Sequence, residues 1–199
     1  MLFLGRAKAA AHAQAAGTAD IHEPSAAQQG DSMSQNIPEQ AGHPFGPMRR
    51  KDREMTDRAE MDDVLRAGKV LHLALADGDT PFLVPVFFAY DGESLFFHSA
   101  RAGSKIDILK RNPKVCFEIS VDHGVIESDM ACDFEARHRT VIGFGRAEFV
   151  DDAAQKKAAL DRIVARFTDK RFDYPQANFK ATAVVRIAIA SLKGKRHGV

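Results

Sequence analysis

The residues best placed to do chemistry lie between His98 and Lys105. They are His98, Ser99 and Ala100, then Ser104 and Lys105 after a turn at Ala102-Gly103. Leu95 to Phe97 reads as the end of a strand, because such an aromatic and aliphatic run suits a pleated, half-buried surface. Ser104 fits an N-cap, with Asp107 three residues on. Ile106, Ile108 and Leu109 then supply a short apolar face, and Asn112-Pro113 stops the helix. A helix N-terminus carries unpaired amides. Here the hydroxyls of Ser99 and Ser104 and the ammonium of Lys105 stand beside them. That combination suits an anion, and phosphate is its natural guest. The plain alternative is an ordinary capped helix with a solvated lysine, since such caps are common.

Other reactive patterns are missing. The sequence has no Gly-x-Ser-x-Gly, no His-Glu-x-x-His, no paired carboxylates at a useful spacing and no glycine-rich phosphate loop. If the protein is an enzyme, a cofactor supplies the chemistry. Cys116 and Cys132 have no metal-ligand spacing and read as reduced and structural, so no metal is expected. Pro85 sits inside an otherwise good strand. Proline removes a ladder donor, which places it at an edge or where pairing is broken. The functional alternative is that a flat ring lies against this backbone. His72 shares a strand face with Val70 and Ala74. It is either a packed histidine or a group that gives and takes a proton near neutral pH.

The elements that position these residues are mostly strands. Thr56 or Asp57 caps a first helix, with Met61, Val64 and Leu65 facing inward. Strands are predicted over Val70 to Ala76, Pro81 to Asp91, Leu95 to Ser99, Lys114 to Val121, Arg139 to Val150 and Thr182 to Ala190. Asp91-Gly92 is a hairpin signal. Asp122 to Ala131 reads as a loop. Gly143 and Gly145 mark a bend, a bulge or a close approach. Asp151 or Asp152 caps a helix carrying Leu160, Ile163, Val164 and Phe167. A loop with Tyr174-Pro175 leads to the last strand. Hairpin-linked strands with few helices predict a mostly β fold, a six-stranded antiparallel barrel.

The phrase Pro85-Val-Phe-Phe-Ala-Tyr-Asp-Gly-Glu-Ser-Leu-Phe-Phe-His-Ser-Ala100, with Gly103-Ser-Lys105 and Asn112-Pro-Lys-Val-Cys-Phe117, resembles the FMN-binding split barrels. These form the pyridoxamine 5'-phosphate oxidase-like superfamily. The resemblance runs from about Met48 to the C-terminus and is closest to the 5-nitroimidazole-resistance (Nim) branch. It implies a split β-barrel, FMN and a homodimer with FMN at the interface. It implies Val84, Pro85, Val86 and Phe87 beside the isoalloxazine, largely through backbone atoms. His98, Ser99 and Ala100 match the segment that meets the ribityl chain and phosphate, and Lys105 matches the phosphate lysine. Arg139, Thr140 and Val141 align, through Gly145-Arg-Ala-Glu148, with a strand that reaches the flavin, with some contacts coming from the second chain. A histidine near the His72 strand belongs to the active site in the Nim branch. The sequence departs from the oxidase proper, whose arginine early in the Pro81 strand is replaced near Leu83, so one phosphate partner is missing. The implied function is an oxidoreductase passing hydride from a nicotinamide donor through FMN to a small electrophile such as a nitroaromatic. The alternatives are a non-catalytic flavin-binding protein and a haem-handling split barrel, the latter kept open by His197 near the basic tail.

The 199 residues allow one medium domain with a tail. A 45% hydrophobic content suits a real core. The net charge of +1 points to neither a nucleic-acid nor a membrane partner. No apolar run approaches the roughly 20 residues of a membrane span. The expected location is the cytoplasm. Residues 1–47 are rich in Ala, Gln, Gly, Ser and Pro and cannot bury enough to offset chain entropy, so a disordered tail is expected before a barrel over residues 48–199. Arg6 and Lys8, with no acid before Asp20, faintly resemble an organelle leader, and a true start at Met33 or Met48 is a third reading.

Overall fold

The computed structural model describes residues 43–199. The expected tail lies outside the described residues, apart from residues 43–47. The strands are β1 (Glu54–Met55), β2 (Val70–Asp77), β3 (Thr80–Tyr90), β4 (Ser94–Ala100), β5 (Lys114–Ile126), β6 (Glu135–Phe149) and β7 (Thr182–His197). They form one sheet in the order β1-β7-β4-β3-β2-β5-β6, and β6 also pairs with β7. The sheet therefore closes on itself, and the fold is a split β-barrel. Its pairings are antiparallel. The strand beyond the expected six is β1, which lies against Lys195 and Gly194. Two residues are too few to show a period.

Alternation builds the barrel. Leu71, Leu73 and Leu75 of β2 and Val115, Phe117 and Ile119 of β5 point inward and are buried. They meet Phe88, Phe97, Val141 and Ile187 in one core. Full burial of each such side chain contributes about 1.5–3 kcal/mol. Helix α1 (Arg58–Ala67) closes one end through Met61, Val64 and Leu65. Asp57 caps it, accepting from the Ala59 amide at 2.9 Å. Helix α2 (Ser104–Arg111) adds Ile108 and Leu109. Helix α3 (Ala153–Ala165), capped by Asp152, packs Ala159, Leu160 and Ile163 on Ala89, Phe96 and Val184 outside the barrel. A short α4 (Gln176–Ala181) replaces part of the expected loop.

Pairing across the sheet lengthens three strands beyond their hydrophobic patterns. β5 runs to Ile126, with an irregularity between Asp122 and Val125, so the first half of the expected loop is strand. Its partner β6 begins at Glu135, and β7 continues to His197 opposite His138. Backbone bonds to a neighbour, not buried apolar side chains, extend these charged ends.

The β3–β4 junction is where the barrel splits. β3 pairs with β2 from Thr80 to Phe87 but with β4 only from Phe88 to Tyr90. β4 continues along β7 to Ala100. Among the described residues, Thr80–Phe87 and His98–Ala100 are thus paired on one side only, and Pro85 falls on the half-paired stretch, as a residue without an N–H should.

Gly145 marks both a register shift and a close approach. The β6–β7 register shifts between Phe144 and Gly145. A Cβ at Gly145 would lie 2.5 Å from the Ala188 carbonyl oxygen and 2.7 Å from Ile187 Cγ2. Gly145→Ala should lower the free energy of unfolding by about 1–3 kcal/mol, the usual range for overpacking. Urea denaturation checks this; an unchanged midpoint would mean that the strands separate freely there.

Candidate functional site

The two half-paired strand segments face each other across the split. On β3, Leu83, Pro85 and Phe87 are exposed, while Val86 is buried and Val84 packs against the core. Pro85 and Phe87 therefore offer side chains on the outer face, and Val84 and Val86 offer backbone. The Phe87 ring is backed by Phe167, with centroids 4.8 Å apart. His72 lies directly opposite Pro85 on β2 and is exposed. Its Nδ1 is 2.7 Å from Glu118 Oε2.

The start of α2 lies just past the β4 side of the split. The N-cap is Gly103, at φ 112°, and it makes no side-chain cap. Ser104 is the first helical residue instead. The reason is conformational: the chain turns through a left-handed residue that glycine adopts without a Cβ penalty. The amides of Ile106 and Asp107 both donate to the Gly103 carbonyl, at 2.9 and 3.1 Å. Among the described residues, the amides of Ser104 and Lys105 and the Ser104 hydroxyl have no hydrogen-bond partner.

Lys105 is half-buried, with Nζ 5.5 Å from the Phe97 ring centroid. Burial lowers its pKa, and no carboxylate pairs with it among the described residues. His98 is open to solvent on one side, yet crowding on the other desolvates it. That burial first, and the Lys105 charge second, lower its pKa. Folding thus disfavours protonated His98. Its contribution to stability is complete above the ordinary value of 6.5 and is lost as pH falls through the lowered one. Lys105→Met should raise the His98 pKa back toward 6.5, read by NMR titration of the imidazole. An unmoved titration would place the two charges too far apart to share an anion.

Arg139, Thr140 and Val141 do not join this cluster within one chain. Val141 is fully buried in the core. Arg139 lies opposite Arg196, and Thr140 opposite Lys195. Ala100 lies opposite Thr182, at the other end of β7. The separation is roughly 40 Å of strand path at about 3.3 Å per residue.

A cavity of about 290 Å³ behind α2 is lined by Arg101, Lys110, Lys156 and Asp151. The buried Lys156 ammonium already donates to the Phe179 and Thr182 carbonyls, both at 2.5 Å. It holds α4 onto β7 and has little left for a ligand.

Residues 57–196 match the family model described as pyridoxamine 5'-phosphate oxidase. The chain belongs to that family. An uncharacterised protein of Rhizobium meliloti is 38% identical over 63 residues, which is 32% of this chain and 41% of that protein. The chain thus matches less than half the length of that relative. Among solved structures, a candidate 5-nitroimidazole antibiotic resistance protein from Bacteroides thetaiotaomicron superposes with TM-score 0.64 at 26% identity, covering 71% of this chain and 85% of that one. A flavocytochrome from Azotobacter vinelandii superposes with TM-score 0.69 at 24% identity, covering 77% and 73%. An FAD and haem binding protein from Mycobacterium smegmatis superposes with TM-score 0.66 at 21% identity, covering 74% of each. The last two likenesses establish the shared fold. Among the described residues no helix is long and apolar enough to cross a membrane.

Sequence reasoning missed Glu118. Its alternation with Phe117 and Ile119 marks it as outward-facing, but only the β2–β5 register brings it to His72.

Proposed function

We propose that this chain is an FMN-dependent oxidoreductase that reduces a small electrophile such as a nitroaromatic. Electrons come from a nicotinamide donor, and the protein works as a homodimer in the cytoplasm. The observation that carries the reading is Lys105. A half-buried ammonium that has no carboxylate partner among the described residues, next to amides and serine hydroxyls equally unpaired among them, fits a phosphate dianion. Family membership and the likeness to a candidate nitroimidazole-resistance protein support the same class.

The residues fit the group. Lys105, Ser104, Ser99 and His98 would hold its phosphate, with Ala100 lining the approach. The half-paired edge of β3 and the exposed faces of Pro85 and Phe87 would lie along its ring, with Val84 and Val86 contributing backbone. Bound FMN supplies hydride transfer. His72 stands beside Pro85 to give or take a proton at the substrate. Arg139 and Thr140 would serve the phosphate end of the second subunit's site, since strand geometry keeps them from Lys105 of their own chain. Haem is the weaker reading, because His197 Nε2 is engaged by Glu135, which also pairs with Arg53 at 3.0 Å.

The test is equilibrium binding of FMN and riboflavin to the parent and to Lys105→Ala. A charge-assisted contact contributes roughly 1.5–3 kcal/mol, so FMN should weaken by about 10- to 100-fold. Riboflavin, without the phosphate, should bind both proteins equally. Equal FMN affinity at low salt would put the phosphate elsewhere.

A further inference from the structure

A row of polar side chains crosses the outer face of β2, β5 and β6. His72 Nδ1 lies 2.7 Å from Glu118 Oε2. Ser120 Oγ donates to Glu118 Oε1. Ser120 Oγ and Thr140 Oγ1 are 2.7 Å apart. His138 Nδ1 is 3.1 Å from Thr140 Oγ1. The register explains the row. His72 sits opposite Glu118, and Ser120 opposite Thr140. Their neighbours Leu71, Leu73, Phe117, Ile119 and Val141 point into the core.

The chemistry of the groups decides where each hydrogen lies. A carboxylate only accepts. His72 Nδ1 and Ser120 Oγ must therefore both donate to Glu118. The single Ser120 hydrogen is then committed, so Thr140 must donate to Ser120. The Thr140 hydrogen is committed in turn, so His138 Nδ1 must donate to Thr140. Every hydrogen in the row points toward Glu118. Both histidines carry a proton on Nδ1, and in both Nε2 is the nitrogen free to gain or lose one.

We propose that Glu118 is the positioning residue of the site. It presents His72 with Nε2 as the working nitrogen, and through Ser120 and Thr140 it couples the tautomer of His72 to that of His138. This builds on the reading of His72 as the proton carrier beside Pro85. The far end of the row opens on a second environment. His138 and Thr140 line a cavity of about 500 Å³ with Phe45, Met48, Ile142 and Phe144. Burial, then the charges of Lys195, His197 and Arg53, lower the His138 pKa, which favours the neutral, single-proton imidazole that the row requires.

The test is the tautomer itself, read by nitrogen-15 NMR of the imidazoles in the full chain. His72→Asn and His138→Asn assign the signals. In the parent, both histidines should be protonated on Nδ1. In Glu118→Gln, an amide with one acceptor and one donor replaces a group with two acceptors. If the amide oxygen faces His72, its nitrogen donates to Ser120, whose second lone pair still accepts from Thr140 so that both histidines keep Nδ1–H, unless the two hydroxyls reverse and His138 offers a bare Nδ1. If the oxygen faces Ser120, His72 must offer the bare Nδ1. In each arrangement at most one of the two histidines switches to the Nε2–H form. A parent with His72 protonated only on Nε2 would overturn the proposal without any variant. A Glu118→Gln protein in which both switch would also overturn it. The experiment uses no flavin, so loss of the FMN reading and loss of this one are separate results.

Discussion

The structure depends on where β3 and β4 part. A barrel normally pairs every strand on both sides, which removes exposed backbone donors and acceptors. Here β6 and β7 pair to close the sheet, while Thr80–Phe87 and His98–Ala100 each keep one edge without a strand partner among the described residues. Backbone groups left in that state must find water or a ligand. Pro85 removes one of them. A flat molecule lying in the split can satisfy others, and Phe88 and Phe97, paired at its apex, are fully buried.

Charge decides the orientation of a guest in that opening. Lys105 is desolvated by burial and, among the described residues, has no carboxylate to offset the cost. His98 beside it is pushed toward neutrality. An anion at the start of α2 would relieve both effects, whereas a neutral or cationic ligand would relieve neither. The opposite wall differs in kind. Leu83, Pro85 and Phe87 present apolar surface, and His72 is the polar group beside it. One wall thus suits a phosphate and the other a ring with a proton to exchange.

Much of this was legible in the sequence, for physical reasons. The period-two burial of Leu71, Leu73 and Leu75 and the caps at Asp57 and Asp152 are local signals, and local signals survive folding. The lysine at the helix start and the proline in the strand were visible for the same reason. The cap was misplaced onto Ser104 because the choice between Ser104 and Gly103 depends on a backbone torsion. The ends of β5 and β7 were missed because pairing, not hydrophobic pattern, extends them. Glu118 meets His72 only through a register set by distant residues, and no spacing in the chain reports it. The family resemblance supplied the split and the ligand class, which composition and periodicity did not.

The most direct measurement is the visible absorbance of the full-length protein after mixing with FMN and separation from free ligand by gel filtration. The account predicts that the two-band spectrum of an oxidised flavin travels with the protein. A colourless protein peak, or an intense single Soret band carried from expression with no flavin taken up, would contradict it.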